Sequence, residues 1–256
     1  MARTWAIYKR ELAAFYVSPI AYVVTAIFLI ICGYFFYSLT AFYHLVSFQA
    51  AQNPMLGGSL NPTEGIIRPL VANTGVVSLF VVPLLTMRLF AEEKKQGTIE
   101  LLFTYPVTDL QALAGKFAAA LTVYVAMVAP TGLFPLSLAW LTDIEPGPVA
   151  AGYLGLALLG AAFVAIGCLA STLTENQIIA AVVTFGVLLL LWVVGWSADV
   201  ASGALGRLAT HLSLIEHLES FSKGVIETKS VVYYASVTVA GLFLALRVLE
   251  SKRWRG

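Results

Sequence analysis

Charge is scarce in this chain: of 256 residues only 11% are Asp, Glu, Lys or Arg, while 59% are hydrophobic. That much apolar surface exceeds what a soluble core of this length can hide, which excludes an ordinary soluble domain and leaves lipid to cover the remainder. The balance of charge, a net +1, offers no basic field for nucleic acid, so any charge that matters does so by position. Cysteine is nearly absent too. Cys32 and Cys168 lie inside long apolar runs, with no CxxC and no partner in a loop, so the sequence supports neither a disulfide framework nor a zinc site.

Catalytic signatures are also missing. Gly115-Lys116 is followed by Phe117, and Leu110 stands where a phosphate-binding loop needs its first glycine, so this chain is not expected to bind or hydrolyse ATP itself. Without HExxH or GxSxG there are no sequence grounds for a protease or hydrolase, and the chain is expected to be no enzyme and to hold no cofactor. His211, Glu216 and His217 suggest a metal cluster at first sight, but histidines six apart do not share a helix face; they read as an ordinary polar face, and no metal is expected. Arg68, Asp199 and Arg247 fall near the ends of apolar runs, where side chains snorkel. An ion-coupled carrier needs carboxylates or histidines nearer midplane, so that reading is disfavoured.

What the sequence does have is six apolar runs of the length a helix needs to cross a bilayer, about 20 residues. They are Pro19–Tyr43, Pro69–Phe90, Lys116–Trp140, Pro148–Ser171, Gln177–Ser197 and Ser230–Leu249. Residues 1–256 therefore read as one all-α membrane domain without internal repeat. The first run follows Arg3, Lys9 and Arg10 but lacks a small-residue cleavage site, so it is a retained span. With the N-terminus inside, inner segments hold Arg3, Lys9, Arg10, Arg88, Lys94, Lys95, Lys116, Arg247, Lys252, Arg253 and Arg255, and outer ones only Arg68, Arg207, Lys223 and Lys229. Basic residues resist translocation, so both termini are expected in the cytoplasm. Trp140, Trp192 and Trp196 then fall at outer ends, where indoles favour the headgroup layer.

The segments between spans differ in character. The loop His44–Arg68, with Asn53-Pro54, Gly57-Gly58 and Asn61-Pro62, predicts irregular chain. Between Leu208 and Ile226, Leu212, Ile215, Leu218 and Phe221 recur with helical spacing beside Glu216 and Glu219, which predicts a short amphipathic helix at the outer leaflet. Before the first span, Trp5, Tyr8, Leu12 and Phe15 recur similarly around Lys9, Arg10 and Glu11, which predicts an interfacial helix. In the inner loop Arg88–Asp109, Gly97 can end one helix, Thr98 can cap another, and Pro106 stops that one. Ile99, Leu102 and Phe103 are its apolar anchors, and Thr108 and Asp109 offer a cap before the third span. Within the spans, Asn73, Thr74 and Ser78, and Gln177 and Thr184, suit either a path or dimer face or plain helix–helix hydrogen bonding; Gly152, Gly155, Gly160 and Gly167 read as close helix packing.

The string from Arg88 through Glu92-Glu93 and Gly97-Thr98-Ile99-Glu100 to Leu102, then Tyr105-Pro106 and Gly115-Lys116, resembles the first cytoplasmic loop of type-2 ABC (ABC-2) exporter permeases. Tyr8–Leu12, Ser18-Pro19-Ile20, Glu216–Phe221 and Gly224–Thr228 are similar in order and spacing to the gliding-motility branch, which is related to the permease of nitrous oxide reductase maturation. The resemblance implies a type V exporter-like architecture in the bacterial inner membrane, with an N-terminal interfacial helix, a cytoplasmic coupling helix and a short outer helix before the last span. It implies as partners cytosolic ABC ATPase subunits, which hold the ATP and Mg, a second permease copy or paralogue, and a large periplasmic companion. By the same resemblance Glu92, Glu93, Gly97, Thr98 and Glu100 would couple to the ATPase, with Ile99, Leu102 and Phe103 inserted and Glu175, in the turn Thr172–Asn176, making a second contact. Export is the function implied; the alternative is an anchor that transmits motion to an extracytoplasmic partner without moving a solute.

Overall fold

The computed structural model describes residues 2–52, 61–98, 108–198, 211 and 213–253. Its helices are α1 (Ala2–Val17), α2 (Pro19–Gln52), α3 (Arg68–Thr86, led in by a π-turn over Thr63–Ile67), α4 (Arg88–Lys95), α5 (Asp109–Val128), α6 (Leu133–Ala139), α7 (Pro146–Leu173), α8 (Gln177–Ala198), α9 (Leu214–Ser222) and α10 (Thr228–Arg253). Six stretches are long and apolar enough to cross a membrane: Pro19–Gln52, Thr63–Lys95, Asp109–Ala139, Pro146–Leu173, Gln177–Gly195 and Thr228–Ser251. This is the all-helical, six-span architecture expected of the sequence, and the protein is a multi-pass membrane protein. The side on which α1 leads into α2 is called the near side below. The α3–α4 stretch, α7 and α10 end there; α5 and α8 begin there.

Several boundaries move. The first span runs to Gln52, nine residues past Tyr43, because nothing breaks a helix before Asn53-Pro54. Of the loop expected to be irregular, only 53–60 lie outside the described residues; Thr63–Ile67 already belong to the second span. The third span starts at Asp109 rather than Lys116. Thr108 caps it in a complete capping box, its hydroxyl accepting from the Gln111 amide while the Gln111 side chain reaches back to the Thr108 amide.

α7 is the centre of the bundle, with 72% of its most apolar window buried, against 17% for α2 and α10. It packs against α3, α5, α8, α9 and α10. Two of its glycines admit neighbours that no side chain would: a Cβ on Gly160 would lie 1.9 Å from Tyr124 of α5, and one on Gly167 2.1 Å from Thr86 of α3. α2 is peripheral, and its one buried edge, Val24, Phe28 and Cys32, follows the four-residue period of a single helix face.

The segment before the last span also differs from expectation. Its helix, α9, is the expected short amphipathic one but spans Leu214–Ser222 and turns its apolar face into the bundle: Leu214, His217, Leu218 and Phe221 are buried among α7, α3, α8 and α10. Ser213 caps its start, accepting from the Glu216 amide, and Gly224, at φ +81, ends it. Leu212, counted on its apolar face, lies outside the described residues. Trp192 is no belt residue: it is buried, with its ring beside Gly75, because α9 covers it. Trp140 is 87% exposed.

Candidate functional site at the near-side junction

The near side gathers α1, α4, the first turns of α5 and the last turn of α7 around a short amphipathic helix. In α4, Leu89, Phe90, Ala91 and Lys94 turn inward. Both of its ends are finished by tertiary or turn contacts. At the start, the Ser171 hydroxyl accepts from the Phe90 and Ala91 amides at 3.0 and 3.1 Å and donates to the Met87 carbonyl, satisfying amides that a helix leaves free in its first turn. At the end, Gly97 adopts φ +68, the Gly97 amide donates to the Lys94 carbonyl and the Thr98 amide to the Glu93 carbonyl. That is the paired closing pattern a left-handed glycine allows. Lys94 reaches across to donate its ammonium to the Thr172 carbonyl, fixing the helix to the end of α7.

Beside it lies a cluster of four charges. Lys116, 1% exposed, places its ammonium 3.0 Å from Glu11 of α1 and 3.0 Å from Glu93 of α4, and it sits over the Phe90 ring at 5.2 Å. Arg10 bonds the same two carboxylates at 2.7 and 2.8 Å. Two cations meet two anions, so the cluster is neutral, which is the condition for holding a lysine out of water. Burial alone would push the Glu11 carboxyl up, but Lys116 and Arg10 together outweigh it and hold the group below the usual carboxylate range. Gly115 lets α1 come this close: a Cβ there would lie 2.9 Å from Ile7 and 3.1 Å from the Thr4 carbonyl. The Tyr8 hydroxyl adds a bond to Thr122 at 3.2 Å. Arg88 completes the junction, donating to Ser18 at 2.9 Å and lying over Phe15, so the start of α4 is tied to the elbow between α1 and α2.

The residues singled out from sequence fall into distinct places. Glu92 and Glu93 are adjacent but differ in direction. Glu93 turns into the charge cluster, while Glu92 accepts from the Gln96 side chain of its own helix, at 3.2 Å, and lines a cavity of about 880 Å³ between α1 and α4. Thr98 is exposed and bonds the Glu93 carbonyl; Glu175 is exposed in the α7–α8 turn on the same side. Gln177 joins the junction, lining a space of about 130 Å³ with Phe15, Arg88 and Glu92. Ile99, Glu100, Leu102 and Phe103 lie outside the described residues. Thr74, Ser78 and Thr184 are buried within the chain: Thr74 donates to Leu70, Ser78 to Thr74 and shares a bond with Tyr124, and Thr184 donates to Ala180. Asn73 is half-buried beside them. On the far side, both His217 ring nitrogens have partners, Ser230 and the His211 carbonyl.

In the sequence Arg10, Glu11 and Lys116 stand out only as parts of an interfacial helix and a loop motif, and Ser171 only as the end of a span, yet these four organise the junction. One signal was there. A cap at Thr108 starts α5 at Asp109 and carries Lys116 about 10 Å along the helix, at 1.5 Å per residue, where a lysine requires a carboxylate.

Comparison with known proteins adds one finding. A family model described as "ABC-2 family transporter protein" matches residues 45–198, from the far end of α2 to the end of α8. No curated protein matches the chain.

Proposed function

Because the chain belongs to the ABC-2 transporter family, as a non-catalytic transmembrane subunit, we propose that it is the permease of an ATP-driven exporter, with the near side in the cytoplasm of a bacterial inner membrane. The family implies association with an ABC ATPase; that separate subunit would bind ATP and Mg. A second permease copy or paralogue would complete the membrane unit, and this chain would act as one domain. The observation that carries the reading is α4. It is fixed to the bundle by Ser171, Lys94 and Glu93 and closed by Gly97, while Lys95, Gln96 and Thr98 are exposed at its end. A short stiff element held firmly on one side is what a cytosolic motor needs in order to move membrane helices. In this arrangement Glu92, Gly97, Thr98 and Glu175 contact the ATPase, Ile99, Glu100, Leu102 and Phe103 would join them by the family resemblance alone, and Glu93 turns into the bundle.

One observation favours a second reading, an anchor that passes motion to a large extracytoplasmic companion without solute, as in the gliding-motility branch. The span hydroxyls of Thr74, Ser78 and Thr184 are bonded within the chain, and α9 fills the far end between α3, α7, α8 and α10. Purification from native membranes with identification of the co-purifying chains tests both. Glu92→Arg should lower stimulation of the partner ATPase about tenfold, roughly 1.4 kcal/mol of coupling. Recovery as a lone homo-oligomer without ATPase overturns both readings; a stable periplasmic companion with no ATP-dependent flux supports the second.

A further inference from the structure

Two packings meet on the near side. α4 lies against α7, α8 and the end of α3, whereas α1 lies along α5; α5 itself also packs on α7, through Tyr124 against Gly160 and Leu156. α4 also reaches the second packing through side chains: Glu93 to Lys116 and to Arg10, with the Phe90 ring beneath the Lys116 ammonium. Lys116 in turn holds Glu11, so this one ammonium touches α1 and α4 from its seat on α5. Its surroundings are closely packed. The ammonium is buried, Gly115 presses α1 against α5, and the Glu93 backbone is held by the closing turn at Gly97-Thr98.

We infer that Lys116 is the positioning residue that joins these packings, so that a displacement imposed on α4 is delivered to α5 and α1 as well as to α7. The inference rests on the coupling role proposed above and adds the route by which motion divides. A charge contact suits a joint better than an apolar one. Losing Lys116 leaves two carboxylates to share the more exposed Arg10, and losing Glu93 leaves the buried Lys116 on Glu11 alone, so opening the contact upsets the charge balance of the whole cluster, while its geometry fixes which groups must meet. Among the described residues the second, buried Glu93 oxygen has no hydrogen-bond partner, and the ion pairs to Lys116 and Arg10 are made by the other oxygen, which the two cations share.

The test is a distance measured across the joint in the full chain. Spin labels at Leu110 and Leu173, both exposed, report the start of α5 against the end of α7; Cys32 and Cys168 are buried and do not compete for label. In nanodiscs with the partner ATPase, the wild-type label pair should give one narrow distance that is the same with and without a non-hydrolysable ATP analogue. Lys116→Met should broaden it at least about twofold and abolish stimulation of the ATPase, leaving the KM for ATP and subunit association unchanged. Lys116→Arg should restore the narrow distribution. If Lys116→Met does not fold, Glu93→Gln with Lys116→Met removes opposite charges together, leaves the Arg10–Glu11 pair, and should give the same broad distribution. A narrow distance and full stimulation in either charge-loss variant, or a wild-type distance that changes with nucleotide, overturns the inference. The nucleotide-free distances test the joint alone, so failure of any ATPase to associate with the wild type counts against the coupling role and leaves the result on the joint standing.

Discussion

Replacing Gly160 by alanine should destabilise the bundle through one identifiable collision. The added Cβ would lie 1.9 Å from one ring carbon of Tyr124 and 2.3 Å from the next. Ordinary carbon contacts begin near 3.5 Å, so the ring must retreat by about 1.5 Å. Tyr124 is fully buried, and its hydroxyl is placed by that ring position, donating to the Leu156 carbonyl at 3.2 Å and meeting Ser78 at 3.1 Å. Overpacking of this kind costs about 1–3 kcal/mol, and stranding a buried hydroxyl costs about 1–3 more. Alanine's better helix propensity returns about 0.5–1 kcal/mol. A net loss of about 3 kcal/mol should lower the melting temperature by about 6–12 °C for a chain of this size. The assay is thermal unfolding in detergent, with Gly186→Ala as control, since a Cβ at Gly186 has no heavy atom within 4 Å and should be neutral or slightly stabilising. In a Tyr124→Leu background, Gly160→Ala should cost much less, because the ring it strikes is gone. A melting point within about 1 °C of wild type, or strictly additive losses in the double mutant, would refute the close-packing argument.

Two further outcomes follow from the near-side junction. Glu11 titrates below its ordinary 4.5 in the folded chain because Lys116 and Arg10 outweigh its burial, so its contribution is present above that value and is lost as pH falls through the depressed folded value. The melting-temperature gap between wild type and Glu11→Gln should therefore be widest near neutral pH and narrow steadily as the pH is lowered into the acid range; a gap that stays constant across that range would contradict this. Ser171→Ala removes the hydroxyl that receives the Phe90 and Ala91 amides. A lost cap of about 1 kcal/mol should speed amide hydrogen exchange over 89–91 about fivefold, and unchanged protection would show that α4 does not depend on α7.

How far the sequence reached is clearest by element. Six spans follow from apolar run length, and the end of α4 from Gly97, since only a glycine-like residue accepts φ +68 cheaply. The cap at Thr108 was legible as well, but beginning the span at Lys116 hid its consequence, that Lys116 is buried. The far-side helix was legible as amphipathic, yet its apolar face could have met lipid or protein; it met α3, α7 and α8. Trp192 was misplaced for the same reason, because an indole near a span end suits a headgroup or a covering helix equally well.

The sequence by itself determined the six apolar spans, though not their ends, and where α4 stops, because run length, glycine and caps act within a few residues. Tertiary structure alone decided direction: that Glu93 turns inward while Glu92 lines the open cavity, that Arg10 and Glu11 meet a lysine more than a hundred positions away, and that Ser171 starts a helix to which it does not belong. In a membrane protein the outside of the bundle is as apolar as its inside, so local pattern cannot say which face is shared. Only the docking of α1 on α5, permitted at Gly115, brings the four charges together.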